Sequence, residues 1–494
     1  MRRHVLAIDQ GTTGTTVMIF DPTGRVRARS YSEFRQYYPR PGWVEHDPEE
    51  IWRVTVRVTR AALRAAHLRP RDVAAIGITN QRETTLLWDR VTGTPIHRAI
   101  VWQDRRTAPI CEALEAAGAA DTIHAKTGLV IDPYFAGTKL QWLFKHVKRA
   151  RARAARLAFG TIDSWLIWKL TGGQVHATDY TNASRTLLFN IHERRWDPEL
   201  LQLLDVPADV LPRVVPSAAV VATTAAHAFG AEVPIAGIAG DQQAALFGQA
   251  CFKPGMVKNT YGTGCFLLMY TGQDAVDSRR GLLTTMACAG GGEPAYAIEG
   301  AIFVAGAAVQ WLRDGLRLFR QAKESEQLAR TVESTLGVYM VPAFVGLGAP
   351  YWDAAARGAL VGLTRGVTKA HVTRATLEAL AYQTRDVVDT MVAESGQPLT
   401  GLRVDGGAAA NNFLMQFQAD LLGVSVDRPK VVETTALGAA LLAGLGVGLW
   451  KSVEQLQHVR KPDRIFRPHM APERREALYH GWRRAVAAVR SLGS

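Results

Sequence analysis

The sequence predicts an α/β protein made of two large domains with a ligand cleft between them. Three observations lead there. The chain has 494 residues, more than a single hydrophobic core ordinarily organises. Short apolar runs of strand type alternate with amphipathic stretches of helical period. A Gly-Thr turn between apolar strands occurs twice, at Gly11 and at Gly262, 251 positions apart. That repetition predicts one plan used in each half.

The elements follow in order. Val5 to Asp9 is an apolar strand, Gln10 to Thr15 a turn, and Thr16 to Phe20 the returning strand. Asp21 to Gly24 turns again into a third strand, Val26 to Tyr31. Pro48 to Ala66 has helical period, and Ala74 to Thr79 and Glu83 to Trp88 read as buried strands. Ile235 to Ala239 is a strand that ends at Gly240. The plan then restarts: Val257 to Tyr261 is a strand, Gly262-Thr263-Gly264 turns, and Cys265 to Tyr270 returns. Lys253-Pro254-Gly255 breaks regular structure. The boundary therefore falls near Ala250 to Pro254, giving domains of 1–250 and 251–494.

Bulk composition excludes several classes. Four cysteines, Cys111, Cys251, Cys265 and Cys288, are widely spaced with no CxxC pair. This argues against a zinc site or a disulfide framework and for a reducing, cytoplasmic setting. The apolar run after Met1-Arg2-Arg3 is too short for a signal peptide. The longest apolar stretch, 436–450, has 15 residues interrupted by glycine. It is short for a membrane span and reads as a buried helix. The net charge is +13. Its densest cluster, Lys145, Lys148, Arg149, Arg151, Arg153 and Arg156, lies at helical spacing with no aromatic among the charges. That pattern reads as a solvated helix face rather than a nucleic-acid patch.

Four segments could carry chemistry. Asp9-Gln10-Gly11-Thr12-Thr13-Gly14-Thr15-Thr16 joins a buried strand to a glycine turn whose amides and hydroxyls can hold phosphate oxygens. Asp9 could help hold a hydrated Mg²⁺. A plain hairpin would use similar residues. No Gly-Lys pair occurs anywhere, so the Walker loop is absent. Arg82 and Glu83, in Asn80-Gln81-Arg82-Glu83-Thr84-Thr85, could give a hydroxyl both a donor and an acceptor, as a polyol requires, or could form a surface ion pair. Asp241, in Gly240-Asp241-Gln242-Gln243, stands where a strand meets a helix and could be a general base or a helix cap. Leu402 to Asn412 combines a strand, the Gly406-Gly407 turn and a helix start, fitting a nucleotide contact or a tight β-to-α turn.

Taken together and in this order, these segments resemble the glycerol kinases, within the FGGY family of sugar and polyol kinases. The resemblance runs from about Val5 to Trp482. It includes Val101-Trp102-Gln103-Asp104-Arg105-Arg106, Asp132-Pro133-Tyr134-Phe135, Asn259 to Gly264 and Arg374 to Glu378. It implies two actin-like (ribonuclease H-like) domains with ATP and substrate in the cleft between them. It also implies phosphorylation of glycerol by ATP with Mg²⁺. Arg82, Glu83, Tyr134, Asp241 and Gln242 correspond to glycerol-holding residues, Trp102 walls the pocket, and Asp241 is the base. Thr12, Thr13 and Gly14 match the first phosphate turn, and Thr263 the second. Gly306, Gln310, Gly407 and Asn411 match nucleotide contacts, and Asp9 lies near the metal. A homodimer or homotetramer is expected, with no nucleic acid and no membrane insertion.

Two departures stand out. Thr16 replaces a usual Arg, which removes a cation near the nucleotide phosphates, and Ala136 replaces a common Ser. The segment Ala225 to Pro234 lacks the Gly-rich, Arg-containing loop that some relatives use to bind a sugar bisphosphate. It is more similar to a type in which a His accepts phosphate from the phosphotransferase-system carrier protein, which makes His227 a regulatory candidate. Competing expectations are a kinase of another polyol or sugar, such as xylulose or erythritol, and an actin-like protein with no small substrate.

Overall fold

The computed structural model describes residues 3–290 and 294–492. Its first sheet has six strands in the order Ala218–Thr223, Pro234–Gly240, Val73–Asn80, His4–Gln10, Gly14–Phe20, Val26–Glu33. The last three form an antiparallel meander, whereas His4–Gln10, Val73–Asn80 and Pro234–Gly240 run parallel. The run Val-Leu-Ala-Ile fits because the sheet is covered on both faces, so neither set of alternating side chains can be polar. Leu6 and Ile8 pack towards Ile51, Val54 and Trp165, while Val5 and Ala7 pack towards Ala439 and Ala440. The helix Pro48–Ala65 on the first of these faces starts cleanly. Asp47 accepts from the Glu49 amide at 2.9 Å and Pro48 needs no donor partner.

The second sheet repeats the plan. Its order is Leu283–Ala287, Ala295–Ile302, Cys265–Gly272, Met256–Tyr261, Gly401–Asp405, Val426–Pro429, Pro462–Phe466. Again an antiparallel meander leads into parallel strands, here Met256–Tyr261, Gly401–Asp405 and Val426–Pro429. The long helix Lys369–Ser395 contributes Leu380, Val387 and Met391 to its core. In each half the glycine turn leaves the end of the strand from which the parallel order starts, where open α/β sheets ordinarily bind ligands.

The helix Thr434–Gly446 joins the halves: it lies in sequence between the last two strands of the second sheet, Val426–Pro429 and Pro462–Phe466, yet packs on the first. Glycine makes this approach possible. A Cβ on Gly438 would lie 1.8 Å from the Ala244 carbonyl oxygen, and one on Gly77 would lie 2.1 Å from that of Ala439. The 436–450 stretch is thus the predicted buried helix, ending at Gly446. Among the described residues no helix is long and apolar enough to cross a membrane. All four cysteines are buried and unpaired.

Two expectations are corrected. Glu83 to Trp88 is not one strand. The strand is Leu86–Asp89, and Glu83 has φ 59°, in the left-handed region that a β-run cannot use. The basic cluster does not share a helix face either. The helix Ala136–His146 ends before most of it, and Arg151–Arg156 forms a separate 3₁₀ turn. There Arg151 and Arg156 pair with Asp205 and Asp89.

Candidate functional site

Strand ends supply most of the cleft. Arg82 and Glu83 leave the strand Val73–Asn80, and Asp241 opens the helix Asp241–Gly248 directly after the neighbouring strand Pro234–Gly240. Arg82 is the hub. Its Nε lies 3.2 Å from Asp241 Oδ1, and its Nη2 donates to the Tyr134 hydroxyl at 3.2 Å. Its Nη1 donates to Gln243 at 3.2 Å. Arg82 and Glu83 are fully buried, so they are not the surface ion pair that the adjacent sequence also allowed. The Asp241 side chain keeps 30% exposure, which leaves it open to a ligand. It is not the helix cap, since Gly240 takes that position.

The aromatic wall comes from elsewhere. Trp102 and Tyr134 meet edge to face at 5.7 Å, and Trp102 Nε1 donates to Thr12 Oγ1 at 2.9 Å. The indole therefore links the pocket to the first glycine turn. Lys139 fixes the Tyr134 loop from below, donating to the carbonyls of Tyr134 at 2.5 Å and Phe135 at 3.1 Å. Gln242 accepts from the buried Lys258 of the second sheet. Arg82, Glu83, Trp102, Tyr134, Asp241 and Gln242 thus form one contiguous cluster.

Electrostatics sharpens the picture. Burial raises Asp241, with Arg82 and then Lys258 acting against it. Burial also pushes Asp9 up to about 7, ahead of repulsion from the Asp241 and Glu433 carboxylates. Thr16 stands directly across the strand pair from Asp9, so position 16 adjoins this acidic spot. Burial, helped by the Arg82 charge and opposed by the Asp405, Glu299 and Asp241 carboxylates, brings Lys258 down to about 8.

The remaining predicted residues lie around the glycine turns. In the first turn the Gly11 amide donates to Gly14 O at 3.0 Å, and Thr13 is exposed. A Cβ on Gly14 would meet the Tyr31 ring at 2.6 Å. In the second, the carbonyl of the exposed Thr263 accepts from Ala305 at 2.8 Å and Ala307 at 3.1 Å. Gly306 starts the helix Gly306–Asp314 tight against the Gly262 carbonyl, and Gln310 is exposed one turn later. Gly407 follows the strand Gly401–Asp405 with no atom near its Cβ position, which leaves open backbone. Asn411 caps the helix Asn412–Leu422, accepting from Leu414 at 3.0 Å. His227 lies apart from the cleft, exposed on the short helix Ala226–Phe229.

Sequence reasoning missed Glu299, Arg185, Lys258 and Gln243. Arg185 donates to Glu83 Oε1 at 2.7 Å and packs against the rings of Tyr134 and Phe135. The available signal was a charged residue inside an apolar strand, as in Ala295–Ile302 and Met256–Tyr261, since such charges are seldom buried without a partner.

Residues 4–248 match the model of the FGGY family of carbohydrate kinases, N-terminal domain, and residues 257–447 match its C-terminal domain. A glycerol kinase of Caldanaerobacter subterraneus subsp. tengcongensis is 60% identical over 98% of each chain. Glycerol kinase 2 of Thermotoga maritima is 58% identical over 99% of each. The crystal structure of Plasmodium falciparum glycerol kinase with ADP superposes with a TM-score of 0.94 at 35% identity, covering 98% of both chains. A ligand-bound xylulose kinase from Lactobacillus acidophilus has a TM-score of 0.88 at 23% identity, over 99% of this chain and 100% of that one, and shares the fold. The paired actin-like sheets, the cleft between them and these likenesses establish that the chain belongs to the FGGY family of carbohydrate kinases.

Proposed function

We propose that the chain transfers the γ-phosphoryl group of ATP to a terminal hydroxyl of glycerol, giving sn-glycerol 3-phosphate. One observation carries this reading. Arg82, Glu83, Tyr134 and Asp241 come from separated stretches yet form one polar pocket with a partly open carboxylate. Relatives named glycerol kinase at about 60% identity along the whole chain support the same substrate over another polyol or sugar. Arg82 donates to the glycerol hydroxyls, Glu83 and Gln242 accept from them, and Tyr134 and Trp102 close over the carbon chain. Asp241 accepts the hydroxyl proton as the new P–O bond forms, and its raised pKa makes it a better base than an exposed carboxylate.

The nucleotide lies across the other face of the cleft. Thr12, Thr13, Gly14 and Thr263 offer amides and hydroxyls to the phosphates, with Thr16 nearby. Gly306, Gln310, Gly407 and Asn411 line the rest of the nucleotide. The open backbone at Gly407 suits a flat base, and the carboxylates of Asp9 and Asp241 suit a hard cation. Mg²⁺, bound with ATP, neutralises charge on the phosphates. On this reading residues 1–250 carry most of the glycerol site and 251–494 most of the nucleotide site. Closure of the two halves excludes water and limits wasteful ATP hydrolysis.

Further parts of the proposal are a cytoplasmic homo-oligomer, dimer or tetramer, and phosphorylation of His227 by the phosphotransferase-system carrier protein. The exposure of His227, beside a groove of about 700 Å³ that Arg60, Arg90 and Lys169 help line, supports access. Incubation with phosphorylated carrier protein is expected to label His227, and an unlabelled protein would remove that role. The catalytic proposal is tested by coupled ATP-consumption assays with glycerol, xylulose, erythritol and dihydroxyacetone. Strong preference for glycerol is expected. Turnover of another polyol with glycerol inert would overturn the substrate.

A further inference from the structure

Glu299 lies on the strand Ala295–Ile302 of the second sheet, and its side chain is buried. Its carboxylate engages two guanidinium groups of the first half. Oε2 accepts from Arg82 Nη1 at 2.5 Å, while Oε1 accepts from Arg82 Nη2 at 3.1 Å and from Arg185 Nη2 at 2.9 Å. The contact with Arg82 is bidentate, a geometry that fixes the plane of a guanidinium as well as its place. Arg185 in turn holds Glu83. The cluster therefore balances Arg82, Arg185 and Lys258 against Glu83, Asp241 and Glu299.

The balance matters because the two guanidinium groups are buried side by side. Removing one carboxylate from such a group leaves a charge that protein must hold without a partner. Burial alone would raise the Glu299 carboxyl, yet Arg185 and Arg82 hold it down at about 2, so it is ionised throughout the physiological range. Glu299 itself is not bonded to Asp241, Tyr134 or Trp102. Its contacts run to Arg82, within the pocket, and to Arg185 behind it.

We infer that Glu299 is a positioning residue for the phosphoryl-transfer reaction: from the second sheet it fixes Arg82, so that the polyol pocket is complete only when the two halves meet. The inference rests on the polyol reading of the pocket given above. Its consequence is coupling. A nucleotide that holds the halves together preserves the Glu299–Arg82 contact already formed here and so tightens the polyol site, and the polyol does the same for the nucleotide.

The test is calorimetry on the full chain and on Glu299→Gln, titrating glycerol alone, ADP alone, and glycerol with ADP present. Glutamine keeps the size and removes the charge. Glycerol Kd is expected to rise about tenfold or more, as for a lost charged hydrogen bond, with ADP Kd within about twofold. ADP is expected to tighten glycerol binding at least about threefold in the unmodified chain and not in the variant. Glu299→Asp, which keeps the charge on a shorter arm, is expected to recover part of the loss. Unchanged glycerol affinity, or an equal loss of glycerol and ADP binding, overturns the inference and leaves the glycerol reading standing. An unmodified chain that neither binds nor phosphorylates glycerol overturns both.

Discussion

On the proposed function, the two faces of the cleft, one for the polyol and one for the nucleotide, solve recognition in opposite ways. On the polyol face, charged side chains from both sheets are buried against one another around Arg82. On the nucleotide face, the elements at hand are glycine turns, open backbone at Gly407 and exposed Thr263 and Gln310. The difference teaches what each ligand demands. A neutral polyol offers only hydroxyls, so discrimination needs fixed side-chain donors and acceptors, and these are positioned beforehand by mutual ion pairing. A nucleotide brings its own charge, and backbone amides suffice to hold it. Glu83 illustrates the cost: a non-glycine residue is kept at φ 59° so that its carboxylate reaches Arg185 behind the pocket.

The contrast can be broken from either side. The largest effect is expected at the base. Asp241→Asn should lower kcat about a hundredfold to ten-thousandfold, measured by coupled assay. Arg82→Gln should raise glycerol KM roughly tenfold to a hundredfold, since a charged donor is lost and carboxylates are left unmatched. On the opposite face Gly306→Val should weaken ADP about tenfold by calorimetry, because even its Cβ would lie 2.5 Å from Gly262 O. Thr16→Arg should tighten ADP about threefold by restoring a cation opposite Asp9. Unchanged affinity would show that position 16 is not near the phosphates.

The smallest effect lies outside both faces. Burial pushes Asp386 up to about 7 from 3.8, although Tyr479 and Trp482 donate to it. The folded state therefore favours the proton. That contribution to stability is full below 3.8 and is lost as pH rises through about 7. Thermal unfolding of Asp386→Asn should thus compare more favourably with the unmodified chain at pH 8 than at pH 5. A difference in Tm that does not change with pH would contradict it.

Legibility in the sequence followed the same division. The strand at Val5, the cap at Asp47 and the two glycine turns are local signals, because each depends on neighbours within a few residues. The charge network is not local: Arg82 and Glu299 are 217 positions apart, and only the fold brings them together. The misread strand at Glu83 has a related cause. Thr84, Thr85 and Leu86 favour β structure, but Glu83 serves a tertiary contact that overrides local propensity. The basic cluster was misread because helical spacing was continued past His146, where the chain turns so that Arg151 and Arg156 can pair with distant aspartates.

The most direct measurement is a pair of calorimetric titrations, glycerol and ADP, on Arg82→Gln and Gly306→Val beside the unmodified chain. The expected result is a double dissociation. Arg82→Gln loses glycerol affinity and keeps ADP within about twofold, and Gly306→Val does the reverse. Glycerol affinity untouched in Arg82→Gln, or both ligands lost together in both variants, would contradict the division of the cleft into a charge-built polyol face and a backbone-built nucleotide face.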